Sequence, residues 1–218
     1  AIEKFYWDEE KGAYIDSFTS GKRNVTRYAN IFAVLFSIAD KEKQEKILTN
    51  VLENEKIPAI TTPYFNFFEL DVLCQMGKLQ EVLDKIRSYW GGMLDLGAVT
   101  FWEEYDPSVP KEEQYEMYGD HFGKSLCHAW AASPIYFLAK YFAGLDLVNK
   151  DGVTYVLKPQ MQYFTDLDCI LPVGSDGTVR LAWDGECLEV IADAEGGVLE
   201  LGEEKISLVR GETRRVKI

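Results

Sequence analysis

The chain has 218 residues, 47% of them hydrophobic, enough to bury one large core or two small ones. Its formal net charge of −13, from 36 acidic against 23 basic residues, repels a phosphate backbone and argues against a nucleic-acid partner; an acidic surface suits neutral ligands. No apolar run reaches the roughly 18 residues of a membrane helix, no signal peptide opens the chain, and the start at Ala1 reads as a processed or cut product.

In chain order, Val25, Tyr28, Ala29, Phe32, Phe36 and Ala39 recur at three- and four-residue steps and predict a first helix. Lys41 to Asn54 follows as a half-exposed helix, with Ile47, Leu48, Val51 and Leu52 apolar among charges. Pro63 to Met76 reads as a third helix, opened by proline and stopped by Gly77. Leu79 to Leu94 is a fourth, with Leu79, Leu83, Ile86 and Trp90 on one face. A loop spans roughly 95–124 and leads into a last helix that stops at Gly144; Pro134 inside it implies a kink, or a start at Ser133.

After about Asn149 the character changes. Val153 to Leu157, Thr178 to Trp183, Leu188 to Ala192, Val198 to Leu201, Ile206 to Val209 and Thr213 to Ile218 are β-prone. Asp176-Gly177, Asp184-Gly185, Gly196-Gly197 and Arg210-Gly211 punctuate them. Short strands at this spacing predict a small antiparallel β-sandwich over 149–218. The helices of 1–148 alternate between buried and half-exposed, which an α/α toroid requires and a plain bundle of helical hairpins also gives. The four cysteines form no CxxC pair and read as free, mostly buried thiols; with only His121 and His128 to help, a zinc site is not expected.

If successive helices run up and down, the segments entering the first, third and fifth helices share one end. A pocket there would collect Tyr28, Tyr64, Asn66, Trp102, Glu103, Asp120 and His128. Aromatic rings bind the C–H faces of sugars, and glycoside hydrolysis uses two carboxylic groups, one protonating the leaving oxygen and one activating water or attacking the sugar. Glu103, between Trp102 and Glu104, is the candidate for one of them, with Glu104, Asp106 and Asp120 as competitors; a surface acid capping the loop is the plainer alternative. His128 either meets a sugar hydroxyl and orients Glu103 or is a core histidine satisfied by backbone. Trp102 and Trp130 either stack on sugar or pack in the core, and for Trp130, inside the expected helix, packing is the stronger reading. No phosphate-binding glycine loop and no Gly-x-Ser-x-Gly elbow is present.

Four segments carry a resemblance. They are Gly12 to Ser17 followed by Tyr28-Ala29-Asn30; Thr62-Pro63-Tyr64-Phe65; Gly97-Ala98-Val99-Thr100-Phe101-Trp102-Glu103-Glu104-Tyr105-Asp106; and Ser125-Leu126-Cys127-His128-Ala129-Trp130-Ala131-Ala132-Ser133-Pro134. In order and spacing this set resembles the catalytic region of bacterial α-L-rhamnosidases, glycoside hydrolase family 78. The resemblance implies a partial (α/α)6 toroid of about five helices followed by a β-sandwich. It implies an inverting hydrolase without a cofactor, acting on rhamnosides, with Glu103 as general base and His128 on the sugar; Trp102, Tyr64, Asn66 and Asp120 join them as substrate-binding candidates from the helix ordering above. It places the protein in a bacterial cytoplasm or periplasm rather than outside the cell. The family's acid motif, rich in Asp, Arg and Glu, lies upstream and has no counterpart here. The expectation is therefore a C-terminal fragment, missing its N-terminal part, inactive alone and open to self-association through an exposed toroid edge. Another α/α-toroid carbohydrate enzyme, or a non-catalytic carbohydrate-binding or interaction fragment, is the alternative.

Overall fold

A computed structural model describes residues 1–150, 152–175 and 177–218, and the chain divides into two compact units, Ala1–Ser133 and Pro134–Ile218. Asp176 of the expected Asp-Gly turn lies outside the described residues. The division falls ahead of the expected change near 148, and most of the last helix is counted with the strands.

The first unit opens with a short helix α1 (Ile2–Tyr6) and a two-residue hairpin, β1 (Trp7–Asp8) and β2 (Ala13–Tyr14). The helices α2 (Arg27–Leu35), α3 (Lys41–Ile47), α4 (Pro63–Gln75), α5 (Leu79–Lys85) and α6 (Gly91–Asp95) follow. A π-helical turn, Leu48–Leu52, extends α3, and another, Ile86–Trp90, joins α5 to α6. The Asp40 carboxylate accepts the Lys43 N–H at 3.0 Å and caps α3. Gly77, at φ +75°, ends α4 in the left-handed conformation, with Lys78 N–H closing on the Leu73 carbonyl at 2.8 Å. The first helix stops before Ala39, because Ser37 turns left-handed at φ 54°.

Ile31, Val34, Ile47, Val51, Leu70, Val72 and Val82 form the buried side of these helices. Two polar clusters inside that core are each tied together by hydrogen bonds. Asn30 serves as a strand partner for β2: its Oδ1 accepts the Tyr14 N–H at 2.8 Å and its Nδ2 donates to the Tyr14 carbonyl at 3.0 Å. Arg27 of α2 donates through Nη1 to Glu69 of α4 at 3.0 Å and to the Leu52 carbonyl at 2.8 Å, and Lys85 of α5 reaches the same Glu69 oxygen. One carboxylate thus ties three helices together.

The second unit begins in α7 (Ser133–Phe137), which opens at Ser133 with proline second, and continues through a π-helical turn, Leu138–Phe142. Among the described residues eight strands follow: β3 (Leu145–Lys150), β4 (Val153–Leu157), β5 (Leu167–Val173), β6 (Gly177–Trp183), β7 (Cys187–Asp193), β8 (Gly197–Leu201), β9 (Glu204–Leu208) and β10 (Thr213–Lys217). They form two four-stranded sheets, β10-β7-β6-β5 and β3-β4-β8-β9, with a common core of Leu171, Val179, Leu181, Leu188, Val190, Tyr155, Leu157 and Leu199. In β7 the buried Leu188, Val190 and Ala192 alternate with more exposed neighbours, the period of two that places one face on a core. The sandwich is not wholly antiparallel: β4 runs parallel to β8, with Val156 opposite Val198.

The thiols are less buried than expected: only Cys74 is buried, Cys127 is exposed, and Cys169 and Cys187 are half-buried. Among the described residues no helix is long and apolar enough to cross a membrane.

Candidate active site

Glu103 sits in the loop after α6, and aromatic packing holds that loop. Tyr105 lays its ring on Gly92, where a Cβ would strike the phenol, and meets Tyr89 at 5.5 Å between centroids. The Tyr105 N–H donates to the Thr61 carbonyl at 3.0 Å, and Thr61 Oγ1 donates to Glu104 Oε1 at 2.7 Å. The loop is thereby tied to the segment entering α4. It also pairs with the stretch before α7: Glu103 N–H donates to the Ser125 carbonyl at 2.9 Å, and His128 N–H to the Phe101 carbonyl at 2.8 Å. Trp90 fixes the following turn, its indole N–H donating to the Ala131 carbonyl at 2.8 Å.

These contacts bring Glu103 and His128 together. Glu103 is 8% exposed. Its Oε2 accepts the Ser125 N–H at 3.2 Å, and its Oε1 accepts the Tyr118 hydroxyl at 3.3 Å. His128 Nδ1 stands 3.8 Å from Oε2, too far for a direct hydrogen bond, and has no hydrogen-bond partner among the described residues. Lys124, whose side chain is buried, holds its ammonium 3.9 Å from Glu104 Oε2. Burial pushes the Lys124 ammonium below the usual lysine range, and Glu104, Asp106 and Glu103 oppose that fall. The charge of Glu103 raises the Tyr118 phenol.

Beside the carboxylate runs a line of rings. His128 meets Trp130 at 4.3 Å between centroids, Trp130 meets Tyr64 at 5.2 Å, Tyr64 meets Phe65 at 5.2 Å, and Phe65 meets Tyr28 at 4.8 Å. Tyr28, Tyr64 and Trp130 are exposed, Trp130 by 46%.

Of the residues expected in a pocket, the fold assembles Glu103, His128, Tyr64 and Tyr28. Trp102 is 3% exposed and packs on Tyr115 at 5.8 Å, so it supports the loop from behind. Asn66 is fully buried, its amide donating to the Ile60 carbonyl at 3.0 Å. Asp120 is exposed and accepts the Phe122 N–H at 3.0 Å within its own turn. Asp106 is likewise occupied by Ser108, whose N–H and hydroxyl donate to it at 2.9 and 2.6 Å. Trp130 lies in a 3-10 turn (Ala129–Ala131), not inside a helix, because the helix starts only at Ser133; this is why its ring faces outward. Tyr118 and the Ser125 N–H were not foreseen. Tyr118 and Gly119, at φ 55° and 79°, form the centre of a tight turn closed by Met117 and Asp120, a turn a Tyr-Gly pair announces only weakly. Among the described residues no group of three or more His, Cys, Asp and Glu is placed to hold a metal ion.

The chain is similar to the solved structure of an α-L-rhamnosidase from Dictyoglumus thermophilum, with a TM-score of 0.62 and 17% sequence identity, covering 99% of this chain and 26% of that one. The fold is rhamnosidase-like. The chain spans about a quarter of the length of that solved protein, 26%. No protein-family model matches the sequence, and no curated protein does.

Proposed function

We propose that this chain is part of an inverting glycoside hydrolase that releases terminal α-L-rhamnose from glycosides or polysaccharides, with Glu103 as general base. The observation that carries the reading is the nearly buried Glu103 carboxylate, held by Ser125 N–H and the Tyr118 hydroxyl, facing His128 Nδ1 at 3.8 Å beside the exposed rings of Trp130 and Tyr64. The likeness to a rhamnosidase fold supports the substrate class. In this reading Glu103 takes a proton from water as the water oxygen attacks the anomeric carbon and the glycosidic C–O bond breaks. His128 bonds a sugar hydroxyl, and Tyr64 and Trp130 pack on the sugar's C–H face. Trp102 and Asn66 position the loop and the start of α4, and Asp120 borders the sugar through the Tyr118 turn.

The leaving oxygen needs a proton from a second carboxyl, roughly 6.5–9.5 Å from the base in an inverting enzyme. Glu104, Asp106 and Asp120 are each engaged by neighbours, so the reading assigns the acid to a part of the rhamnosidase fold outside the quarter matched here, and little turnover to these residues alone. The same engaged acids favour a second reading, in which the site binds carbohydrate without cleaving it.

The test is hydrolysis of an aryl α-L-rhamnoside by the full-length protein, wild type against Glu103→Gln, with the anomer of the first product read by proton NMR. A loss of about a hundredfold or more in kcat with folding intact, and inversion in the wild type, is expected. A near-normal mutant removes Glu103 from the mechanism. Binding of rhamnosides without hydrolysis turns the reading to the non-catalytic one.

A further inference from the structure

The second unit carries a groove of about 1040 Å³ that has no part in the Glu103 site. Pockets for small ligands run from about 300 to 1,000 Å³, so this one has room for an elongated ligand of more than one ring. Its lining combines an aliphatic part, Pro159, Met161, Leu201 and Ile218, with three other kinds of group. Trp183 and Phe164 supply aromatic surface, both half-buried, and the Trp183 indole N–H donates to the Phe164 carbonyl at 3.2 Å, which fixes the ring's orientation. Gln160 and Gln162 supply neutral amides, joined by a Gln162 Nε2 to Gln160 Oε1 bond at 2.9 Å. Lys158 and Glu200 supply charge, but they neutralise each other at 2.8 Å. The Lys158 and Lys205 ammoniums hold the Glu200 carboxyl below the usual range. The same indole borders a second hollow of about 420 Å³, so Trp183 stands as a wall reached from two sides.

We propose that this groove binds a neutral oligosaccharide. A fixed, half-exposed indole offers the flat surface that sugar C–H faces pack on. Planar amides match hydroxyls, which both donate and accept. The internally neutral lining gives a charged ligand no net attraction, and the chain's charge of −13 disfavours acidic polysaccharides. A lipid or apolar peptide would leave the amides and the ion pair desolvated without partners. This inference goes beyond the rhamnosidase reading and does not depend on it.

The experiment is calorimetric titration of the intact chain with neutral gluco-, galacto- and manno-oligosaccharides of three to five units, and with oligogalacturonate as the acidic counterpart. Wild type is expected to bind at least one neutral probe and not the acidic one. Trp183→Ala is expected to weaken binding by about tenfold or more. Because Trp183 also packs on the sandwich core, the exposed Gln162→Ala variant gives the second reading, with a loss of severalfold and no change in folding. Absence of neutral-sugar binding at millimolar concentration overturns the proposal. So does binding that survives both groove variants.

Discussion

Glu69→Gln removes the only carboxylate in the Arg27–Glu69–Lys85 network and leaves its two cations without their counter-charge. The Glu69 side chain is 3% exposed and that of Arg27 9%. Breaking a buried pair by removing one partner costs about 3–5 kcal/mol, because the surviving charge stays desolvated. Lys85 is 21% exposed, so solvent screens part of its share and the lower end, about 3 kcal/mol, is the expectation. Against a total stability of about 5–15 kcal/mol this is a large fraction. The loss has a pH signature. Burial pushes the Lys85 ammonium below its ordinary range, and Glu69 holds it up, so without Glu69 it falls further. A lysine lowered in the folded state binds fewer protons folded than unfolded in the window below about 10.4, so stability rises with pH there. The variant's deficit should therefore narrow as pH is raised from about 7 toward 10. Urea unfolding followed by tryptophan fluorescence reads this, since four of the five tryptophans lie in the first unit. Glu53→Gln is the control: its contact with Lys78, 3.4 Å long and exposed on both sides, is worth about 1 kcal/mol or less. A Glu69→Gln loss no larger than the control's, or a deficit that grows with pH, refutes the reasoning.

Gly197→Ala sets a Cβ against the fully buried Tyr155 ring of the neighbouring strand and should cost about 1–3 kcal/mol in thermal unfolding. The Asp8 carboxyl is held below its usual range by Arg23 first and then by the Lys11 and Glu10 amides. Its stabilisation is present above the ordinary value of about 3.9 and lost as pH falls through the lower folded value, so Asp8→Asn should flatten the acid limb of the stability curve; an unchanged limb shows the contact contributes nothing. Glu103→Gln should return the Tyr118 phenol toward the ordinary tyrosine range in a 13C-tyrosine NMR titration, and no movement would show that the two groups do not meet in solution. We also propose self-association through the exposed aromatic face of the first unit: light scattering should show mass rising with concentration, reduced in Phe36→Ser, whose ring is 70% exposed.

What was legible in the sequence is what local pattern decides. The helices α3, α4 and α5 announced themselves through periodicity, Pro63 and Gly77, and six of the eight described sandwich strands through alternation and glycine turns. The two missed strands lack those signals for physical reasons. β3 lies at a sheet edge with mostly exposed residues, and β5 carries Pro172, which is tolerated because β5 is itself an edge. The two-residue β1–β2 hairpin is too short for any period, and its pairing depends on Asn30, sixteen residues beyond Tyr14. The parallel β4–β8 pair joins segments about forty residues apart, which no local pattern encodes.

At the site, residue type put Glu103 among several acids and left His128 open between a sugar contact and a core role; the resemblance singled the two out. Which of the nearby tryptophans faced outward was a tertiary matter. Trp102 is sealed by Tyr115, whereas Trp130 rides a turn pinned by Trp90 and stays open. Asp106 and Asp120 are engaged by residues two positions on, a local pairing, whereas only packing between distant segments engages Glu104 through Thr61 and leaves Glu103 opposite an imidazole nitrogen that has no partner among the described residues. Hydrogen bonds compete for each carboxylate in three dimensions, and sequence distance does not rank the competitors.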